Sequence, residues 1–129
     1  LLWASTYFGM SSYDGYRWRG YMDHDTGLAS NFINFVKARE RVGWACTDKG
    51  LSAVHYDSNR WVTYAPEKAP DDYKGPWVAR VYREGDLLET VRLKEGLANN
   101  FVLGVDFQAG DVWVATAKGL SLGKRAGPR

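Results

Sequence analysis

Short runs of apolar, aromatic and β-branched residues are separated by polar, turn-forming residues along most of the chain. Between residues 32 and 64 this pattern predicts four strands, at 32–38, 42–47, 51–56 and 60–64. The intervening turns hold residues that suit tight reversals, such as Asp48-Lys49-Gly50 and Asp57-Ser58-Asn59. The pattern therefore predicts antiparallel strands joined by hairpin turns.

A spaced signature, Trp-x-x-Thr-x-x-Gly-[Leu/Met]-Ser, occurs three times, starting at Trp3, Trp44 and Trp113. Two neighbouring patterns also recur. Tyr-Asp-x-x-Arg-Trp lies at 13–18 and 56–61, and Gly-Leu-Ala-x-Asn lies at 27–31 and 96–100. Repetition at fixed offsets indicates one supersecondary unit used several times.

Four short antiparallel strands in about 40 residues are typical of a β-propeller blade. We therefore predict an all-β fold, a β-propeller segment of four-stranded antiparallel blades in a single domain (1–129). One complete blade (27–65) is flanked by two partial blades (1–26 and 96–123), and a basic tail follows (124–129).

The repeat is interrupted after the fourth strand of the complete blade by an insert at 66–95. Runs at 77–83 and 87–93 around Glu84-Gly85-Asp86 predict a β-hairpin within it. This hairpin is a flap over the loop face of the blades, a decoration of their outer rim, or a hairpin that packs against a missing neighbour.

Three blades in a row would leave two apolar sheet faces bare, at roughly 25 cal/mol per Å² of apolar surface. We therefore expect a fragment of a larger propeller, or a protomer that completes a ring by association. The expected partners are the blades or chains that complete the ring.

The charge balance, 17 basic against 15 acidic residues, gives no reason to expect nucleic acid or an anionic membrane as a partner. No long apolar run is present, so we expect no direct insertion into a membrane. A single cysteine, Cys46, excludes an internal disulfide, and it occupies the small, buried position that Ser5 and Ala115 occupy in the other repeats.

Taken together, Gly-Leu-x-x-Asn-x-[Ile/Val], the tryptophan signature and Arg-Trp-x-x-Tyr resemble the two-component regulator propeller repeat, over residues 1–64 and 96–123. The resemblance implies blades of a seven-bladed propeller. It also implies an extracytoplasmic location, periplasmic or extracellular, in a bacterial sensor or another exported protein. The insert departs from that family's pattern.

Loops on a rigid scaffold are where binding residues concentrate. We expect the turns between second and third strands, the Gly-Leu-Ala-x-Asn loops and the base of the insert to lie at one end of the blades. The candidate contacts for a ligand or partner are Tyr7, Asn31, Asp48, Lys49, Trp77, Tyr82, Asn100 and Lys118.

Each candidate has a structural alternative. Asn31 and Asn100 suit a tight, left-handed entry into a strand, and the repeated Thr, Ser and Trp residues suit hydrogen bonds and core packing within each blade. Asp23 and Asp25 have the spacing of a calcium loop but lack the bidentate glutamate that completes one. We expect no metal or other cofactor, because no His, Cys or carboxylate cluster has metal spacing.

We expect no catalytic residues, since no nucleophile–base pattern or phosphate loop is present. The primary hypothesis is a non-catalytic ligand-binding or sensor module, whose ligand is a glycan or another small molecule. The alternatives are a protein-interaction scaffold within an exported complex and a fragment of a propeller lyase or hydrolase.

Overall fold

Within residues 1–68 and 75–124, which the computed structural model describes, the chain forms twelve β-strands and no helix. The strands are β1 (Leu2–Thr6), β2 (Gly9–Tyr13), β3 (Trp18–Tyr21), β4 (Ile33–Arg39), β5 (Val42–Thr47), β6 (Gly50–His55), β7 (Arg60–Pro66), β8 (Trp77–Arg83), β9 (Asp86–Arg92), β10 (Val102–Gln108), β11 (Asp111–Thr116) and β12 (Gly119–Gly123).

The strands form three antiparallel sheets in which chain neighbours pair with one another. The first sheet has the order β1-β2-β3, the second β4-β5-β6-β7-β8-β9, and the third β10-β11-β12. The all-β prediction is confirmed. Residues 22–32, between the first two sheets, are called the first connector below, and residues 93–101 are called the second connector.

The predicted strands at 42–47 and 77–83 coincide with β5 and β8, and the other predicted strands are displaced by one or two residues. The largest difference is at β7, which continues to Pro66 instead of ending at residue 64. The extra residues pair with β8, where Ala65 lies opposite Val78 and Pro66 lies opposite Trp77.

The insert does not cover the loop end of the sheets. Its first strand, β8, pairs with the whole length of β7, so β8 and β9 become the fifth and sixth strands of the second sheet. The flap interpretation is therefore wrong, and the outer-rim alternative fits. Part of the insert (69–74) and most of the basic tail (125–129) lie outside the described residues.

The signature glycines provide a backbone conformation that other residues reach only with strain. Gly9, Gly50 and Gly119 have φ angles of 102°, 136° and 133°. The predicted hairpin turns also have residues with positive φ, since Gly15 is at 102° and Asn59 at 51°.

The first strand of the repeat carries a bulge at the same place in two sheets. Asn34 is the extra residue between Ile33 and Phe35 in β4, and Leu103 is the extra residue at the corresponding point of β10. The Asn34 side chain donates a 2.9 Å hydrogen bond from Nδ2 to the Val102 carbonyl, which ties the second sheet to the third.

One core cluster fills the space between the first and second sheets. Its fully buried members include Met10, Tyr21, Ala45, Val54 and Trp61, and Trp3 packs against them. A second cluster, of Cys46, Leu51, Val102, Val105 and Val114, lies between the second and third sheets and packs against Trp44.

Successive residues of β5 alternate between these two clusters, so the centre of the second sheet, at β5 and β6, is buried on both faces. The three repeated tryptophans are all half-buried. Trp3 and Trp44 pack against the first and second core clusters, as predicted. Trp113 packs against neither cluster, because Val114 faces the second sheet and the neighbouring Trp113 faces the opposite side.

Candidate functional site

The repeated threonines stabilise the turn that follows their strand. Thr6, Thr47 and Thr116 each donate a hydrogen bond from Oγ1 to the carbonyl of the signature glycine three residues later, at 2.8–2.9 Å. Each Oγ1 also accepts a bond from the backbone N–H two residues later. The predicted structural role of these threonines is confirmed.

The signature serines hold the connectors against the sheets. Ser52 Oγ accepts a 3.0 Å bond from the Ala29 N–H, and Ser121 Oγ accepts a 2.9 Å bond from the Ala98 N–H. Ser52 Oγ also bonds Thr63 Oγ1, which in turn donates to the Gly27 carbonyl. These bonds fix the first connector beside the β5–β6 turn.

A polar cleft of about 460 Å³ opens where the two connectors, the β5–β6 turn and the base of the insert meet. Its walls come from the first connector, from the end of β7 and from β8. Its polar and charged lining residues are Asp23, Lys49, Thr63, Glu67, Lys68, Arg80, Tyr82 and Asn100.

The charges in this cleft leave an excess of cations. Glu67 is paired with the Arg92 guanidinium at 2.9 Å, and its carbonyl accepts a 3.2 Å bond from Arg80 Nη2. Within residues 1–68 and 75–124, Lys49 and Arg80 form no ion pair with a carboxylate. The cleft therefore suits a polar ligand that carries negative charge.

Three of the predicted contacts, Lys49, Tyr82 and Asn100, line the cleft. Asp23, whose spacing to Asp25 is that of a calcium loop, joins them there. Asn100 is buried, whereas the Tyr82 ring lies across Gly27 and packs against the first core cluster.

The other predicted contacts lie elsewhere. Tyr7 is exposed and packs against Phe32, Lys118 lies on the corresponding turn of the third sheet, and Trp77 is buried against Gly96. Asn31 and Asp48 also lie outside the cleft.

The side chains of Asn31 and Asp48 differ in their hydrogen bonding. Asn31 Oδ1 accepts a 2.8 Å bond from the Asp23 N–H. Neither Asn31 nor Asn100 has a positive φ angle, so the expected left-handed entry is wrong for both residues. The Asp48 Oδ1 atom is buried and has no hydrogen-bond partner among the described residues.

The segment from Asp23 to Gly27, which has calcium-loop spacing but for which no metal was expected, is not assembled as a metal site among the described residues. His24 and Asp25 are exposed and 3.8 Å apart, and the described part of the chain has no group of three or more His, Cys, Asp or Glu side chains that could hold a metal ion. His55 is exposed at the end of β6. Cys46 is fully buried, and this burial raises the pKa of its thiol to about 12, which fits the predicted inert packing role.

Sequence reasoning did not find Thr63, Glu67, Lys68 or Arg80 as lining residues. Arg80 reaches the cleft because β8 pairs with β7 in the register that places Arg80 opposite Thr63. The alternating pattern of β8 indicates a strand, but the long connection from Pro66 to Trp77 does not set its register as a two-residue turn would.

No protein-family model matches this chain, and no significant match is found among curated proteins or solved structures. The described residues contain no helix that could cross a membrane.

Proposed function

We propose that this chain is a non-catalytic ligand-binding module built from the blades of a β-propeller and acting outside the cytoplasm. The observation that carries the proposal is the polar cleft at the loop end of the second sheet, where Lys49 and Arg80 form no ion pair with a carboxylate of residues 1–68 and 75–124. The ligand proposed for it is a small acidic saccharide or a similar carboxylated molecule.

The propeller assignment is supported by the internal repetition. Strands β5 and β6 of the second sheet are covered on both faces by sheets that repeat its β5–β6 turn, and the third sheet also repeats its bulge, as stacked blades require. The two-component regulator propeller repeat, which the sequence resembles, suggests the extracytoplasmic location and the sensor role.

The stacking of the sheets also suggests the partners. Sheets that repeat one unit bury their faces against neighbouring sheets. We therefore propose that other blades or chains complete the ring.

The test is an NMR titration of ¹⁵N-labelled protein with glucuronate, with glucose as the neutral control. We expect saturable shifts of the Ala29, Lys49 and Asn100 amides with glucuronate and smaller shifts with glucose. The variant Arg80→Gln should weaken glucuronate binding roughly tenfold, because a hydrogen bond to a charged group contributes about 1.5–3 kcal/mol.

Two outcomes would count against the proposal. Equal amide shifts on addition of glucose and of glucuronate would show that the cationic side chains do not contribute to binding. Shifts that map to the β2–β3 or β6–β7 turns, at the opposite end of the sheets, would move the binding surface away from the cleft.

The scaffold alternative has its own supporting observation. The outward face of the third sheet exposes Leu120 and Leu122, at 64% and 38% of their surface. Exposed apolar side chains clustered on one sheet face are typical of a contact with another protein surface. Analytical ultracentrifugation distinguishes this function, since a scaffold that binds through this face should associate as concentration rises.

A further inference from the structure

The outer edge of the second sheet is formed by β9 (Asp86–Arg92), the second strand of the insert hairpin. Every residue of this strand is exposed, including Leu87 at 53%, Leu88 at 61% and Val91 at 44%. In each of the other strands of the described chain, at least one residue is half-buried or buried. An exposed edge strand with apolar side chains is a template for pairing with another strand.

The position of β9 separates it from the surfaces on which the sheets stack. Within the described residues, β9 contributes no side chain to either core cluster. A blade has four strands, and β8 and β9 lie beyond β7, the fourth strand of the second sheet. Two strand spacings place β9 about 10 Å outside β7. An occupant of the β9 edge is therefore distinct from the blades or chains proposed to complete the ring.

The backbone of β9 is oriented for pairing at its outer edge. The Leu93 N–H donates a 2.8 Å bond to the Trp77 carbonyl of β8. Pairing with β8 is regular from Glu89 to Arg92, and successive residues of an antiparallel strand direct their N–H and C=O groups to opposite sides. The backbone groups of Thr90 and Arg92 therefore point away from β8, toward the outer edge.

The charges along this edge are separated by sign. Asp86 and Glu89 lie in its first half, and Arg92 and Lys94 lie in its second half. Lysines along an edge discourage self-pairing because two copies repel each other. Here antiparallel pairing brings the acidic half of one copy beside the basic half of the other, which favours a second copy. Arg92 contacts Glu67 at 2.9 Å, but its side chain remains 67% exposed.

We propose that the β9 edge binds the β9 edge of a second copy of this chain, antiparallel and with Thr90 on the two-fold axis. In this register Asp86 of each copy lies beside Lys94 of the other. An axis at Glu89 would place two glutamates opposite each other, and an axis at Val91 would move Asp86 away from the basic half. The pairing joins two six-stranded sheets into one continuous sheet. This inference does not depend on the polar cleft.

Sedimentation equilibrium of the 129-residue chain at low ionic strength tests the proposal, and we expect a monomer–dimer equilibrium. Thr90→Pro should abolish the dimer, because proline removes the outward N–H, whereas an edge strand accepts proline where the N–H faces solvent. Circular dichroism controls for its folding. A wild-type chain that stays monomeric at every concentration would overturn the proposal. Association that persists in folded Thr90→Pro would also overturn it, because another surface would then be the interface.

An exchange of charges tests the register without proline. Asp86→Lys alone and Lys94→Asp alone should each weaken association roughly tenfold, because both charge contacts become repulsive. A mixture of the two variants should regain the wild-type affinity, since their heterodimer has opposite charges at both contacts. Lys118→Asp makes the same change of charge away from β9 and should leave association unchanged. Single variants that associate as tightly as the wild type, or a mixture without recovery, would contradict the proposed pairing.

Discussion

Alanine at Gly50 and alanine at Gly119 should destabilise the fold by different amounts, although the two glycines occupy the same position of the repeat. Their φ angles are 136° and 133°, so the backbone strain of the added side chain is the same. That strain is of order 1–3 kcal/mol for a residue held in a sparsely populated region.

The difference arises from the neighbouring strand. The new Cβ atom of Gly50→Ala would lie 2.5 Å from the Tyr64 carbonyl oxygen in β7, and the backbone of β7 would have to move. Overpacking of this kind costs about 1–3 kcal/mol in addition. We therefore expect Gly50→Ala to lower the free energy of unfolding by about 2–6 kcal/mol, and Gly119→Ala by about 1–3 kcal/mol.

Urea denaturation followed by circular dichroism measures both variants against the wild type. In thermal unfolding, the same comparison would appear as a shift in Tm of roughly 4 °C for each 1 kcal/mol in a chain of this size. Equal losses in the two variants would refute the reasoning, because the contact with β7 would then contribute nothing.

Three further predictions follow from buried and paired side chains. Thr47→Val should cost about 1–3 kcal/mol in urea denaturation, because it leaves buried turn groups without a partner, whereas Thr6→Val at the exposed equivalent should cost less. Cys46, with a thiol pKa of about 12, should resist iodoacetamide at pH 8 until urea unfolds the chain; rapid alkylation of the native protein would contradict its burial. The Lys37 ammonium, 2.7 Å away, lowers the pKa of Asp106 below 3.8, so the stabilisation is present above that value and is lost as the pH falls through the folded pKa. An NMR titration should show the pKa of Asp106 rising in Lys37→Met, and an unchanged value would exclude the pair as its cause.

The repeat made much of the fold predictable. Each signature places a threonine, a glycine and a serine at fixed offsets, and the structure shows that these offsets are those of one hairpin turn and its bonds to a connector. On either side of one signature turn, the limits of β5 were predicted to the residue and those of β6 to within one residue. Turn chemistry is local and is therefore readable from the sequence.

The candidate site was less predictable, because it depends on pairing between distant segments. Lys49 and Asn100 could be placed at one end of the sheets from the repeat alone. Arg80 and Glu67 could not, since they reach the cleft through the register of β8 on β7 and through the extension of β7 to Pro66. Neither the long connection nor the strand pattern determines that register.

The measurement that tests the account most directly compares glucuronate binding by Lys49→Gln and Lys118→Gln in isothermal titration calorimetry. The two lysines hold the same place in the repeat, but only Lys49 lines the cleft. The account predicts that Lys49→Gln weakens binding roughly tenfold and that Lys118→Gln leaves the affinity unchanged. Equal effects of the two variants would contradict the claim that the repeated residues are architecture and that binding is confined to the cleft beside the insert.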